Sequence, residues 1–347
     1  MKKAFKIERL FFMKKVQISA PYKVEMIEVE KPKAGENQIL VKAELSGISA
    51  GTEMMLYRGS YPNLTAKRWP DWSEYPVYPG YEMVGIVEEV GSGAKGEFKK
   101  GDRVICLGEH AQYVAIPIAL AAKIPDNMTS EEATLAVLAT TAMHAIRRAD
   151  IQYGDTVAVV GCGVLGYLVM QHAKISGARR VISLDINESR LQLAKETGAD
   201  LCINPAKEDA QECIKAFNGG VLADVVIEVS GFNGTAEQAL QLVRERGRVV
   251  LLGWNTEDVH FSFSEFYFKE ATIVASQAIG PVAGLPYSYV RWTSDQSLRW
   301  AVDLLANHKL TGAYFTPTKF CCDEIAKVYD MIDKRDPAVG LQTVLMW

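Results

Sequence analysis

The spacing of apolar residues changes character part-way along the chain. As far as about residue 128 it is short and alternating. Gln38 to Leu45 alternates in part, Val84 to Val90 does so between Gly80 and Gly91, Gly101–Val104 opens another strand, and Ala111 to Ile116 forms one more. Short strands divided by Gly and Pro predict a compact β-barrel-like unit. At Thr129-Ser-Glu-Glu132 the period lengthens: this is a capping-box start, and Glu131 to Arg148 reads as one helix. From Thr156 onward strands and helices alternate. The strands are Thr156–Val160, Val181–Leu184, Leu201–Asn204, Asp224–Val229, Arg248–Leu252 and Thr272–Ala275. Such alternation predicts a doubly wound parallel sheet. Asp295–Asn307 and Cys322–Lys334 read as helices, with a last strand at Gln342–Met346.

The first strand of the alternating region runs directly into Gly161-Cys-Gly163-Val164-Leu165-Gly166, a helix is expected over Tyr167–Ser176, and the next strand ends in Asp185. The three glycines serve different ends. The first allows a tight turn, the second lets backbone approach a pyrophosphate closely, and the third lets helix pack on strand. The pyrophosphate would sit on helix N–H groups at the positive end of the helix dipole. Asp185 lies about twenty residues past the third glycine, where a carboxylate accepts ribose hydroxyls and repels a 2′-phosphate. This favours NAD(H) over NADP(H). Arg190, one helical turn on, is a counter-signal, because it suits a phosphate. Ser230, Gly231 and Gly253, at the ends of later strands, complete the expected cofactor contacts.

Composition narrows the alternatives. The chain has 347 residues, enough for two domains, and its 48% hydrophobic and 23% charged content is ordinary for a globular protein. A net charge of −4 with no basic cluster argues against a nucleic-acid partner. No apolar run has membrane-spanning length, and Met1 to Phe12, interrupted by Lys6, Glu8 and Arg9, makes a poor signal peptide, so a cytoplasmic location is expected. Met13-Lys-Lys-Val-Gln reads as a second possible start, with the first twelve residues an extension. Six scattered cysteines (Cys106, Cys162, Cys202, Cys213, Cys321, Cys322) contain no Cys-x-x-Cys pair and are expected to be reduced thiols. Vicinal Cys321-Cys322 is open to a redox reading, but a plain structural one is favoured.

Taken together, Gly47-Ile-Ser-Ala-Gly-Thr-Glu53, Pro79-Gly-Tyr-Glu-Met-Val-Gly85, Gly101-Asp-Arg-Val104, the glycine fingerprint, Glu228-Val-Ser-Gly231 and the tail Asp323–Trp347 resemble, in order and spacing from about Met13 to the end, the medium-chain dehydrogenase/reductase superfamily of zinc-type alcohol dehydrogenase relatives. Within it, Ser46 to Glu53 with Gly80-Tyr-Glu82 looks most like the branch that contains the bacteriochlorophyllide hydroxyethyl dehydrogenase. The resemblance implies an α/β protein in two parts. One is a split GroES-like β-barrel catalytic domain over 1–128 and 279–347, and the other a Rossmann cofactor domain over 129–278. Relatives commonly pair through the outer strand of the cofactor sheet, so Thr272–Ala275 is expected to form a homodimer contact.

The departures from the family matter equally. Zinc members carry a cysteine where this chain has Ala50, or Ser49 if a gap shifts, and a histidine where it has Tyr81. A third cysteine would fall near Val137–Thr140, and the four-cysteine structural lobe is missing as well. Catalytic zinc needs three protein ligands, and only Glu82 remains, so zinc is not expected. Carbonyl polarisation then falls to hydrogen-bond donors. The resemblance points to Thr52, matching the family's proton-relay hydroxyl, to Tyr81, standing for the ligand histidine, and to His110, matching a residue that lines the pocket in relatives. Each has a plainer reading: His110 as a packing residue, Tyr81 as filler of the vacated metal site, Glu82 as an orienting carboxylate. His144 and His172 are expected to be structural. The aromatics Tyr57, Tyr61, Trp69, Trp72, Tyr75 and Tyr78 suit either an apolar lid over a bulky or aromatic substrate or a packing belt or dimer contact, and Tyr287, Tyr289 and Trp292 pose the same choice.

The expected function is an NAD(H)-linked oxidoreductase moving a hydride between nicotinamide and an alcohol or carbonyl, or reducing an activated alkene, without zinc. A zinc enzyme with atypical ligands and a non-catalytic dinucleotide-binding protein stay open.

Overall fold

The computed structural model describes residues 11–347 except 69, 256, 279, 281–284, 287, 289 and 313–316. The expectations for residues 1–10, Trp69, Tyr287 and Tyr289 therefore lie outside the described residues. The chain opens with a hairpin, β1 (Phe12–Ala20) and β2 (Lys23–Glu30), that the apolar pattern did not single out. Val16 and Ile18 are fully buried beneath it, but Lys14 and Lys15 before them and Gln17 between them mask the alternation.

The first large sheet has seven strands: β3 (Gln38–Ile48), β4 (Met83–Val90), β5 (Arg103–Cys106), β6 (Tyr113–Pro117) and β7 (Ala121–Lys123), joined by β14 (Thr318–Cys321) and β15 (Thr343–Met346). Its order is β14-β15-β3-β4-β5-β7, with β6 also on β3. The C-terminal tail thus completes a sheet begun by the N-terminal part, with Thr343 opposite Ile48.

The second sheet is all parallel. It comprises β8 (Thr156–Val160), β9 (Arg180–Leu184), β10 (Leu201–Ile203), β11 (Ala223–Glu228), β12 (Val243–Leu251) and β13 (Thr272–Ala275), in the order β10-β9-β8-β11-β12-β13. This is the doubly wound arrangement, with its switch point between β8 and β11. β8 is buried along its whole length, as a central parallel strand covered on both faces must be.

Three helices differ from the pattern-based expectation. Glu131–Arg148 is two helices, Ser130–Thr134 and Ala136–Ala149, joined at Leu135. Thr129 does form its capping box with Glu132, but the Thr134 hydroxyl bonds back to the Glu131 carbonyl and Leu135 N–H bonds to Glu132, which tightens the turn. The fingerprint helix starts early, at Val164, because extended Gly163 serves as its N-cap. The late helix runs over Ile325–Asp333 after a 3₁₀ turn at Cys322–Glu324. Among the described residues no helix is long and apolar enough to cross a membrane.

Candidate active site

The cofactor half lies at the carboxyl ends of β8, β9, β11 and β12. Gly161 sits at φ +107°, and a Cβ there would press on Ser230 at 3.0 Å; a Cβ on Gly166 would lie 2.0 Å from the Gly161 carbonyl oxygen. Both are locked as glycine by their neighbours. Gly163 differs, since a Cβ there would meet nothing within 4 Å. It faces open space at the N-terminus of the helix Val164–Ile175, whose first residues are Val164 and Leu165. That arrangement fits a pyrophosphate lying against the loop.

Asp185 follows β9. One carboxylate oxygen accepts the Cys162 N–H at 2.8 Å and the other the Asn187 N–H at 2.9 Å, while Arg190 approaches to 3.8 Å. The acid therefore ties the glycine loop to the neighbouring strand end and partly neutralises Arg190. A second carboxylate, Glu228, shapes the next turn. It is fully buried, and one oxygen takes Ser230 N–H (2.8 Å), Ser230 hydroxyl (2.6 Å), Gly231 N–H (2.9 Å) and Thr235 hydroxyl (3.0 Å). Gly253 comes so near that a Cβ would lie 2.3 Å from Gly231 N. Every expected cofactor residue thus belongs to one contiguous rim; Glu228 stood in a recognised motif, but its role as organiser emerges only from these bonds.

The candidate catalytic half is built where β3 turns into the helix Ala50–Arg58. Of the two sequence options, Ser49 and not Ala50 meets Tyr81: the Tyr81 phenol hydrogen-bonds the Ser49 hydroxyl, and Thr52 Oγ1 is 3.3 Å away. Burial is the main cause holding this phenol well above the usual tyrosine range, so it stays protonated. Glu82 beside it is buried with one oxygen unpartnered, and burial, then the Glu53 charge, raise its carboxyl well above the ordinary range.

His110 is fully buried. Its Nδ1 contacts the Ser46 hydroxyl at 2.8 Å and its Nε2 contacts Glu53 at 2.9 Å. With both nitrogens engaged and no exposed surface, the imidazole does not open onto the cleft as the pocket-lining position would require. Gly80, at φ +102°, permits this packing: a Cβ there would lie 2.5 Å from His110 N. His172 is a packing residue, its imidazole lowered to about 4 by burial.

The aromatic run divides into two packed groups. Tyr57 packs edge-on against Tyr22 and Tyr329, and the Tyr75 hydroxyl is held by the Leu56 carbonyl. Tyr61 and Trp72 instead form a row with Tyr81 and, from the end of β12, Trp254: centroids are 5.7 Å for Tyr61–Trp72, 6.2 Å for Trp72–Tyr81 and 5.3 Å for Tyr61–Trp254. Trp292 packs on Trp300 under Arg147. Cys321, Cys322 and Asp323 cluster, but Asp323 is paired with Lys14 at 2.6 Å and burial pushes the Cys322 thiol up to about 11, which suits inert thiols.

A chain built this way can be compared with known proteins. An erythritol/L-threitol dehydrogenase of Mycolicibacterium smegmatis is 32% identical over 304 residues, covering 78% of this chain and 84% of the relative. The chain belongs to the medium-chain dehydrogenase/reductase superfamily. It is an oxidoreductase of the alcohol dehydrogenase type. Family models described as "Alcohol dehydrogenase GroES-like domain" and "Zinc-binding dehydrogenase" match residues 35–126 and 164–289. An alcohol dehydrogenase of Geobacillus stearothermophilus is 32% identical, covering 75% of this chain and 82% of the relative. A solved structure described as a putative zinc-binding dehydrogenase from Sinorhizobium meliloti 1021, bound to NADP, superposes with a TM-score of 0.78 at 25% identity, covering 97% and 99% of the two chains.

Proposed function

We propose that this dehydrogenase moves a hydride between NAD(H) and an alcohol or carbonyl carbon without a catalytic zinc, with Tyr81 as the hydrogen-bond donor to the substrate oxygen. The observation that carries the reading is the Tyr81 phenol seated on Ser49 and beside Thr52, where zinc members of the family have metal ligands. A zinc ion needs thiolate, imidazole or carboxylate donors; here the first two places hold a hydroxyl and a phenol, and Val137–Thr140 supplies none. Glu82 alone, with burial raising its carboxyl well above the ordinary range, does not complete a set. The bound nicotinamide supplies or accepts the hydride. The protein orients the substrate oxygen on Tyr81 and fixes the dinucleotide on the glycine rim. The row Tyr61–Trp72–Trp254, which reaches Tyr81 through Trp72, supports a bulky or aromatic substrate, since it places aromatic surface next to the phenol. Purified protein should contain well under one zinc per chain and keep its alcohol-oxidising activity after chelation. Stoichiometric zinc whose removal abolishes turnover would establish the atypical-ligand reading instead.

The position of Asp185 supports NAD(H), because a 2′-phosphate beside it would be repelled. NADH should bind more tightly than NADPH by equilibrium fluorescence quenching. The reverse order would mean that Arg190 has turned to a phosphate.

We also propose a homodimer. β13 is the outer strand of the cofactor sheet, and the helix Phe263–Phe268 just before it exposes Phe263 (69%), Tyr267 (64%) and Phe268 (79%). An edge that is unpaired among the described residues, beside exposed rings, is well suited to twofold pairing. Light scattering should give twice 38.3 kDa at micromolar concentration; a monomer mass would refute the pairing.

A further inference from the structure

Ser49 stands at the N-cap of the helix Ala50–Arg58, yet its side chain caps nothing. Serine at that position usually turns its hydroxyl onto the free N–H groups of the first turn. Here the roles are exchanged. The Glu53 side chain reaches back and accepts the Ser49 N–H at 2.8 Å, which leaves the Ser49 hydroxyl on Tyr81. Glu53 is itself fully buried, and a carboxylate in that position is costly unless its oxygens are supplied with donors. The second oxygen receives two: His110 Nε2 at 2.9 Å and the Tyr329 hydroxyl. Tyr329 comes from the tail helix Ile325–Asp333, and the Trp347 indole N–H reaches Ser46, the other partner of His110, at 2.8 Å. The first helix turn, the segment before β6 and the tail therefore converge on one carboxylate directly behind the catalytic phenol.

We propose that Glu53, held by Tyr329 and His110, is a positioning residue that fixes Ser49 and, through the Ser49 hydroxyl, aims the Tyr81 phenol, so that the C-terminal tail takes part in the chemistry without touching substrate. This rests on the reading of Tyr81 as the donor. Glu53 sets an orientation, and orientation errors of an ångström can cost orders of magnitude in rate.

The test is a double-mutant cycle with Tyr329→Phe and Tyr81→Phe, assayed with NAD⁺ and whichever of benzyl alcohol, 1-butanol or erythritol the parent enzyme oxidises fastest. Tyr329→Phe should lower kcat about tenfold with the NADH dissociation constant unchanged. In the Tyr81→Phe background it should cost nothing further, because the phenol it aims is gone. Equal losses in both backgrounds, or a folded Tyr329→Phe with parental kcat, would overturn the proposal. If Tyr81→Phe alone keeps full kcat, the donor reading fails, and fails visibly on its own. A measurement independent of turnover accompanies the cycle: in protein carrying ¹³Cζ-tyrosine, the Tyr81 resonance, identified by its loss in Tyr81→Phe, should shift in both Tyr329→Phe and His110→Gln. An unmoved resonance refutes the coupling even where no alcohol in the panel is oxidised. Should Tyr329→Phe fail to fold, His110→Gln runs the same cycle. Failure of both to fold would make the cluster a folding requirement and equally count against the proposal.

Discussion

Tyr81→Phe should lower turnover about a hundredfold while leaving NADH affinity as it was. Removal of one donor at a developing oxyanion typically costs about 3 kcal/mol. The phenol is the group whose burial keeps it protonated, so it can donate through the whole neutral and alkaline range in which alcohol dehydrogenases are assayed. Phenylalanine retains the ring that packs against Trp72 at 6.2 Å, so the cleft keeps its shape. The dinucleotide rim lies on the other sheet, so nucleotide binding has no reason to change. Steady-state kinetics together with NADH quenching separate the two quantities. Unimpaired turnover would pass the donor role to Thr52 or an ordered water.

Gly163→Val should weaken NADH binding by about five- to over a hundredfold with no loss of thermal stability. The added side chain enters open space in the apo protein, so folding meets no clash. The same space is where the pyrophosphate would approach the loop, and forcing extra carbons into a filled space costs about 1–3 kcal/mol, which is that range in affinity. Gly166→Ala is the informative contrast. Its Cβ would fall 2.0 Å from the Gly161 carbonyl oxygen, so strand and helix must part and stability itself should drop. Thermal melts with and without NADH distinguish the cases. Undiminished NADH binding by Gly163→Val would mean that the pyrophosphate does not cross this loop.

The two halves of the site were unequally legible in the sequence. The geometry of the glycine loop and its neighbours could be anticipated from the sequence because its demands are local. Gly161 needs a positive φ, Gly166 a near contact five residues back, and Asp185 closes onto Cys162 one strand away. Spacing alone records such constraints. The candidate catalytic half is held by pairings that leave no periodic trace. Tyr329 and Glu53 are 276 residues apart, and nothing in either neighbourhood announces the other. His110 was noticed for its chemistry and its place in the family pattern, but its burial against Glu53 and Ser46 reassigns it from the cleft to the layer behind it. Ser49 against Ala50 was undecidable from spacing, and only the Tyr81 contact selects between them. The β1–β2 hairpin escaped notice because its lysines and glutamates lie between the few buried positions.

The seven-stranded sheet also sets an order of assembly. Its centre, β3, needs β15 as a neighbour, and the side chains that seal the layer behind Tyr81, Ser46 and Trp347, are 301 residues apart. The parallel sheet, in contrast, draws all its strands from the continuous stretch between Thr156 and Ala275. Closing the longer loop costs more chain entropy before any contact repays it. The nucleotide-binding half can therefore consolidate without waiting for either end of the chain, whereas the bonds behind Tyr81 form only when β3 and the tail have met.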